Sequence, residues 1–264
     1  MGRAGAGGIG IVGMLAILAV GYFFGIDITP IVGSMDSGQT GESRELTQEE
    51  KDSGQFVSVV LADTEEVWSK VLPEQAGVKY TDPQLVMFSG VVNSACGSAQ
   101  SAMGPFYCPN DRKVYLDTDF FKVMSQKMGA GGDFAYAYVI AHEVGHHVQN
   151  LLGILGQTMK ARQQTDEVTA NRISVATELQ ADCFAGIWAR QANEQFGTIE
   201  DGDIEEAINA AAAVGDDTLM SKAGRAPMPD AFTHGSSRDR MDWFKRGFST
   251  GQLSSCDTFK ALGF

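Results

Sequence analysis

The amino-acid sequence predicts an α+β fold preceded by one transmembrane helix. Three observations predict it: a charge-free apolar run near the N-terminus, a β-rich stretch between residues 85 and 117, and helical patterns over most of the rest. A small mixed sheet followed by several helices is the order expected of an α+β domain. Hydrophobic residues make up 44% of the 264 and charged residues 20%, which suits a packed core and argues against wholesale disorder.

Residues 8–26 (GIGIVGMLAILAVGYFFGI) form 19 consecutive positions without a charge. At about 1.5 Å per residue they span roughly the 30 Å hydrocarbon core of a bilayer. Asp27, Ile28, Thr29 and Pro30 follow where a small-residue cleavage site would stand, so a retained signal anchor is expected rather than a cleaved peptide. Residues 1–7 hold the one cation Arg3, while Asp27 and Asp36 lie beyond the span. The positive-inside rule then places the N-terminus in the cytoplasm and everything after the helix in the periplasm or outside the cell. Gly21 and Gly25 have the spacing of a helix-dimerisation face, although glycine is common in membrane helices. Gly8, Gly10 and Gly13 match the dinucleotide fingerprint, but no strand precedes them, so we set that match aside.

Residues 27–46 are rich in Gly, Ser and acid and read as a flexible linker to one catalytic domain at 47–264. Thr47, Gln48, Glu49 and Glu50 form a capping box opening a helix to about residue 72. Its stripe of Val57, Val60, Leu61, Val67, Trp68, Val71 and Leu72 reads as core-facing. Residues 85–92 read as a strand, and 106–108 with 114–117 as a hairpin about the turn at 109–112. A short helix to about 128 precedes a glycine-rich spacer at 129–132. Further helices are predicted at about 133–152, 166–196, 203–223 and 237–247.

The chemistry lies in the first two of these. His142, Glu143 and His146 form H-E-x-x-H inside an apolar helix. Residues four apart share a helical face, so both imidazoles can reach one ion while Glu143 leans towards the ion's water as general base. The flanking Ala137, Val139, Ile140, Ala141, Val144 and Val148 would bury the motif, and buried imidazoles need partners. A catalytic zinc usually takes three protein ligands and keeps a position for water. Glu178 and Asp182, one turn apart in a second apolar helix, supply the carboxylates. Glu178 is assigned as third ligand to a single Zn2+ and Asp182 as the acceptor orienting one ligand histidine. The reverse assignment, Asp182 as ligand, stays open, as does a plain salt-bridge role for the pair.

His234 lies in a loop capping the last helix; facing the metal, it would stabilise the oxyanion of a tetrahedral intermediate. His147 points to another face and reads as structural. The strand residues Val114, Tyr115 and Leu116 are candidates for an edge that pairs with extended peptide substrate. The net charge of -13 and the lack of a basic stripe exclude nucleic acid as the expected partner. With the domain outside the cytoplasm, the four cysteines are expected as Cys96–Cys108 and Cys183–Cys256.

HEVGHHVQ at 142–149, ELQADCFAG at 178–186, FTHGSS at 232–237, YCPNDRKVYLD at 107–117 and CDTF at 256–259 together resemble the bacterial putative neutral zinc metallopeptidase family. Members usually carry a longer arginine-rich segment before the membrane helix, where MGRAGAG stands here. The resemblance implies a zincin-like peptidase fold, a zinc site of His142, His146 and Glu178, and Glu143 as catalytic base. Two other functions remain in view: a membrane-tethered metal-binding scaffold without catalysis, and a metal-dependent amidase of the cell envelope.

Overall fold

The computed structural model describes residues 48–264, apart from 101–103, 118 and 198. The apolar run at 8–26, the Gly21/Gly25 pair and the linker at 27–46 lie outside those residues. Among the described residues no helix is long and apolar enough to cross a membrane.

Helix α1, Gln48–Ala76, runs past the expected stop near Leu72 and through Pro73. A proline this close to the C-terminus removes one hydrogen bond from a turn that is fraying anyway, and Gly77 N still donates to Pro73 O at 3.0 Å. The predicted stripe is buried, with Val57, Val67, Trp68 and Leu72 fully enclosed.

Strands follow: β1 (Gln84–Phe88), β2 (Val91–Ser94), β3 (Gly97–Gln100), β4 (Phe106–Cys108) and β5 (Lys113–Asp117). The main sheet has the order β1-β5-β4, with β1 parallel to β5 and β4 antiparallel to it; β2 and β3 form a separate hairpin. The expected strand at 85–92 is therefore two strands, because Gly90 at φ 85° turns the chain between them. One expectation about substrate is corrected here. β5 is the central strand, with Val114 and Tyr115 each opposite a residue of β1 and of β4, and Leu116 opposite Met87 of β1. Val114, Tyr115 and Leu116 are also buried, and Val114 and Tyr115 have strands on both sides, so neither of these two offers a free backbone edge to an extended peptide.

The helical part comprises α2 (Phe120–Val123), a π turn (Met124–Met128), α3 (Asp133–Leu151), α4 (Ile154–Gln163) and α5 (Glu167–Phe196). It continues with α6 (Asp203–Ala213), α7 (Asp216–Lys222), α8 (Ser237–Thr250) and α9 (Thr258–Ala261). Helix α4 was not expected; none of its residues is buried, so it carries no apolar stripe to read. The predicted helix at 203–223 breaks at Val214 and Gly215, where a side chain at 215 would collide with Ser237.

Helices α3 and α5 pack against each other, and α8 lies along α5 in the most extensive interface of the domain. Glycines make that approach possible. A Cβ at Gly247 would overlap the Cys183 carbonyl, and one at Gly186 the Phe244 carbonyl. Gly247→Ala is therefore expected to cost about 1–3 kcal/mol by overpacking. Urea denaturation checks this: an unchanged midpoint would show that the interface yields freely. Both disulfides are formed, Cys96–Cys108 beside the main sheet and Cys183–Cys256 between α5 and the C-terminal segment.

Candidate metal centre

The HEVGH segment occupies the middle of α3, and Gly145 within it lets α5 come close. A Cβ there would sit 3.0 Å from the Ala181 carbonyl and 3.2 Å from its Cα. That approach aligns one turn of α5, Glu178 to Asp182, with one turn of α3, His142 to His146. His142 Nε2 lies 3.2 Å from Glu178 Oε2, and His146 Nε2 lies 3.5 Å from Glu178 Oε1. The three candidate ligand atoms fall within 4.8 Å of one another. The two imidazoles meet edge to face, with centroids 4.8 Å apart.

Each ring is oriented from behind. His142 Nδ1 donates to Asp182 Oδ1 at 2.8 Å, and His146 Nδ1 donates to Gln149 Oε1 at 2.8 Å. Asp182 is wholly buried and is held in turn by Arg240, whose Nε and Nη2 donate to its two oxygens at 2.8 and 2.9 Å. Tyr138 Oη adds a fourth bond to Asp182 at 2.5 Å. Glu143 is buried next to the histidine pair, 7% exposed.

The family of the chain follows from its match to the neutral zinc metallopeptidases, described as Putative neutral zinc metallopeptidase, over residues 1–259. The chain belongs to this family. The uncharacterized protein YpfJ of Escherichia coli K12 is 46% identical over 257 residues, 97% of this chain and 88% of that protein. The uncharacterized protein Rv2575 of Mycobacterium tuberculosis is 44% identical over 224 residues, 80% of this chain and 73% of that protein. No solved structure matches the chain. Membership supports a hydrolase and implies zinc.

The donor set fits the zinc that a neutral zinc metallopeptidase implies. With both Nδ1 atoms donating, both Nε2 atoms carry lone pairs that face a carboxylate, an arrangement that repels itself unless a cation sits between them. Two imidazoles and one carboxylate are a known catalytic zinc set. The carboxylates around the rings favour positive charge there, whether carried by a proton or by a metal ion. Burial opposes a charge on His142, but Asp182 and Glu178 outweigh it and push its pKa up to about 10. Burial likewise opposes the Glu178 anion, yet the charges and hydrogen bonds of His146 and His142, with His234, hold its carboxyl well below the usual range. Asp182 sits at about 2 against its burial, because of Arg240 and His142. Glu143 moves the other way: burial raises it, and the histidines only partly offset that.

His234 stands at the rim, its side chain 52% exposed, with Nδ1 3.2 Å from Asp216 Oδ1. Burial opposes its charge, but the hydrogen bond to Asp216 and the charges of Glu178 and Asp216 prevail and raise its pKa above the ordinary histidine value. The N-cap of α8 is Ser236, not His234. His147 faces away from the cluster, donating from Nε2 to Thr81 O at 2.6 Å and accepting from Tyr107 Oη at 2.9 Å.

Sequence reasoning missed Arg240, Tyr138, Gln149 and Asp216. A signal for Arg240 existed: it shares the buried face of α8 with Phe244 and Gly247, and a cation there demands an anion. Asp216 collects the backbone N–H groups of Thr233, His234 and Gly235 at 2.7, 2.7 and 3.0 Å. These bonds and His234 depress its pKa against burial. Its stabilising effect is thus present above the unfolded carboxyl value of about 3.9 and is lost as pH falls below it. Asp216→Asn should flatten that acid limb in denaturation curves taken from pH 5 down to 2; an identical limb would remove Asp216 as its source.

Three further carboxylates, Asp133, Asp203 and Glu206, cluster at the start of α3. Asp133 and Glu206 both accept from Phe134 N, at 2.9 and 3.2 Å, so they cap the helix that carries the histidines.

Proposed function

We propose that this chain is a membrane-anchored zinc metallopeptidase that hydrolyses peptide bonds. The observation carrying the reading is the convergence of two imidazole Nε2 atoms and Glu178 beside the buried Glu143. His142, His146 and Glu178 would hold the ion. When bound, zinc supplies a Lewis acid that lowers the pKa of water and polarises a carbonyl.

The remaining steps belong to the protein's own side chains. Glu143, its basicity raised by burial, takes the proton of the attacking water and returns it to the leaving amine. Asp182 and Gln149 keep the imidazoles in the tautomer that presents Nε2. His234, oriented by Asp216 through Nδ1, donates to the substrate oxygen as negative charge develops there. Peptide substrate enters from solvent at the His234 rim. The layout of a small sheet beside the histidine helix, with the third ligand on the next long packed helix, supports a zincin-like fold.

Anchoring rests on the charge-free run at 8–26, with 27–46 as tether. Two formed disulfides support a periplasmic or extracellular domain, since cytosolic thiols are kept reduced.

Metal analysis of the full chain beside Glu178→Ala and Asp182→Ala tests the site. Wild type is expected to retain one zinc, and Glu178→Ala to lose most of it. Equal zinc in all three removes the ligand assignment. Proteolysis of an unstructured protein separates the functions: zinc retention without any hydrolysis leaves a scaffold, and amide turnover without proteolysis leaves an envelope amidase.

A further inference from the structure

The two imidazoles are oriented by different devices. Behind His142 stands a charged pair, Asp182 and Arg240. Behind His146 stands a chain of neutral amides leading out to the C-terminal segment. Gln149 Oε1 accepts from His146 Nδ1 at 2.8 Å, Gln149 Nε2 donates to Gln180 Oε1 at 3.0 Å, and Gln180 Nε2 donates to the Cys256 carbonyl at 2.9 Å. Gln149 Nε2 also donates to the Thr177 carbonyl at 2.8 Å. Both glutamines are buried.

The chain has only one consistent polarity. A backbone carbonyl can only accept, so Cys256 O requires the amide nitrogen of Gln180 to face it, which turns Gln180 Oε1 towards Gln149. Thr177 O and Gln180 Oε1 then both require the amide nitrogen of Gln149, which turns Gln149 Oε1 towards His146. An acceptor there requires the proton on His146 Nδ1, leaving the Nε2 lone pair for the Glu178 side. Thr177 O holds Gln149 in this sense from one side, and the Cys256 carbonyl, by fixing Gln180 Oε1 as the second acceptor, holds it from the other; without Cys256 O, Gln149 keeps one anchor in place of two.

The Cys256 carbonyl is itself fixed in place. Cys256 is disulfide-bonded to Cys183 on α5, three residues past Gln180, and Thr258 Oγ1 donates to Ala176 O at 2.6 Å. Arg172 Nη2 donates to Leu262 O at 2.6 Å further along the same helix.

We propose that Gln149 and Gln180 are positioning residues for the metal centre, and that the C-terminal segment pinned by Cys183–Cys256 reinforces, through them, the orientation and tautomer of His146 that Thr177 O also favours. The inference rests on the zinc reading above. It makes the last ten or so residues part of the metal site, although none of them is a ligand.

The test is zinc affinity of the full chain in detergent, measured by competition with a chromophoric chelator, with the visible spectrum of the cobalt-loaded protein as second readout. Gln149→Leu is expected to weaken zinc binding about 10- to 100-fold, and Gln180→Leu about tenfold. The Cys183→Ser/Cys256→Ser pair is expected to match Gln180→Leu, and all of these to shift the cobalt bands. The structural control is Gln75→Leu. Gln75 donates to Gly251 O at 2.9 Å and accepts from Leu253 N at 2.7 Å, so its loss loosens the same segment outside the relay. It should lower stability and leave zinc affinity and the cobalt spectrum as in wild type. Wild-type affinity in Gln180→Leu, or an equal loss in Gln75→Leu, overturns the relay while the zinc site stands. A wild-type chain that binds no zinc overturns the zinc reading and this one with it.

Discussion

Glu143→Gln is expected to lower peptide hydrolysis about 100- to 10,000-fold, the range of a lost general base, while zinc content stays at the wild-type level. The amide matches the carboxylate in size, so packing around this buried position is kept. Glu143 is not one of the three groups that converge, so the metal loses no ligand. What disappears is a basic oxygen whose pKa burial has moved towards working pH. Turnover and metal content measured on the same preparation decide the matter. Activity that survives the substitution would mean another group takes the proton, and a loss of zinc would mean that Glu143 helps to hold it.

The second large effect concerns stability. Arg240→Met is expected to destabilise the domain by about 3–5 kcal/mol, because it removes the guanidinium paired with the buried Asp182 and leaves only His142 and Tyr138 to hold that charge. Asp182 is fully enclosed and Arg240 is 3% exposed, so water cannot replace the lost partner. Against a total stability of about 5–15 kcal/mol, that loss is large. The pair need not add net stability over an apolar equivalent, so Arg240→Met/Asp182→Leu should recover much of the loss. It should not recover the metal: with no acceptor behind Nδ1, His142 loses its orientation and zinc affinity falls about 10- to 100-fold. Urea denaturation of both variants checks the first part and chelator competition the second. If Arg240→Met unfolds at the wild-type midpoint, Asp182 has another source of compensation.

The groups that converge at the centre were legible because their spacing is local. His142 with His146, and Glu178 with Asp182, each lie four residues apart on an apolar helix, and a buried helical face with titratable groups asks for a common partner. Arg240 was not legible in the same way. It stands 58 residues from Asp182, and no local period links a residue on α8 to one on α5. The Gln149 and Gln180 amides were silent for a different reason: a buried glutamine has no typical partner, and only the nearby carbonyls give it a direction. The strand β5 was recognised from the turn at 109–112 that pairs it with β4, yet a hairpin signal names only one neighbour. That β1 joins it in parallel, closing off Val114 and Tyr115, follows from how the chain returns past the hairpin at β2 and β3.

By itself, then, the amino-acid order determined the elements and the ion-seeking groups, since helix and strand periods and the four-residue spacing of ligands are set by backbone geometry over one or two turns. The tertiary structure alone decided what stands behind those groups: an arginine for Asp182, an aspartate for His234, and a C-terminal carbonyl behind His146. Buried polar atoms must each find a partner wherever packing brings one, and that choice is made by the meeting of surfaces far apart in the chain.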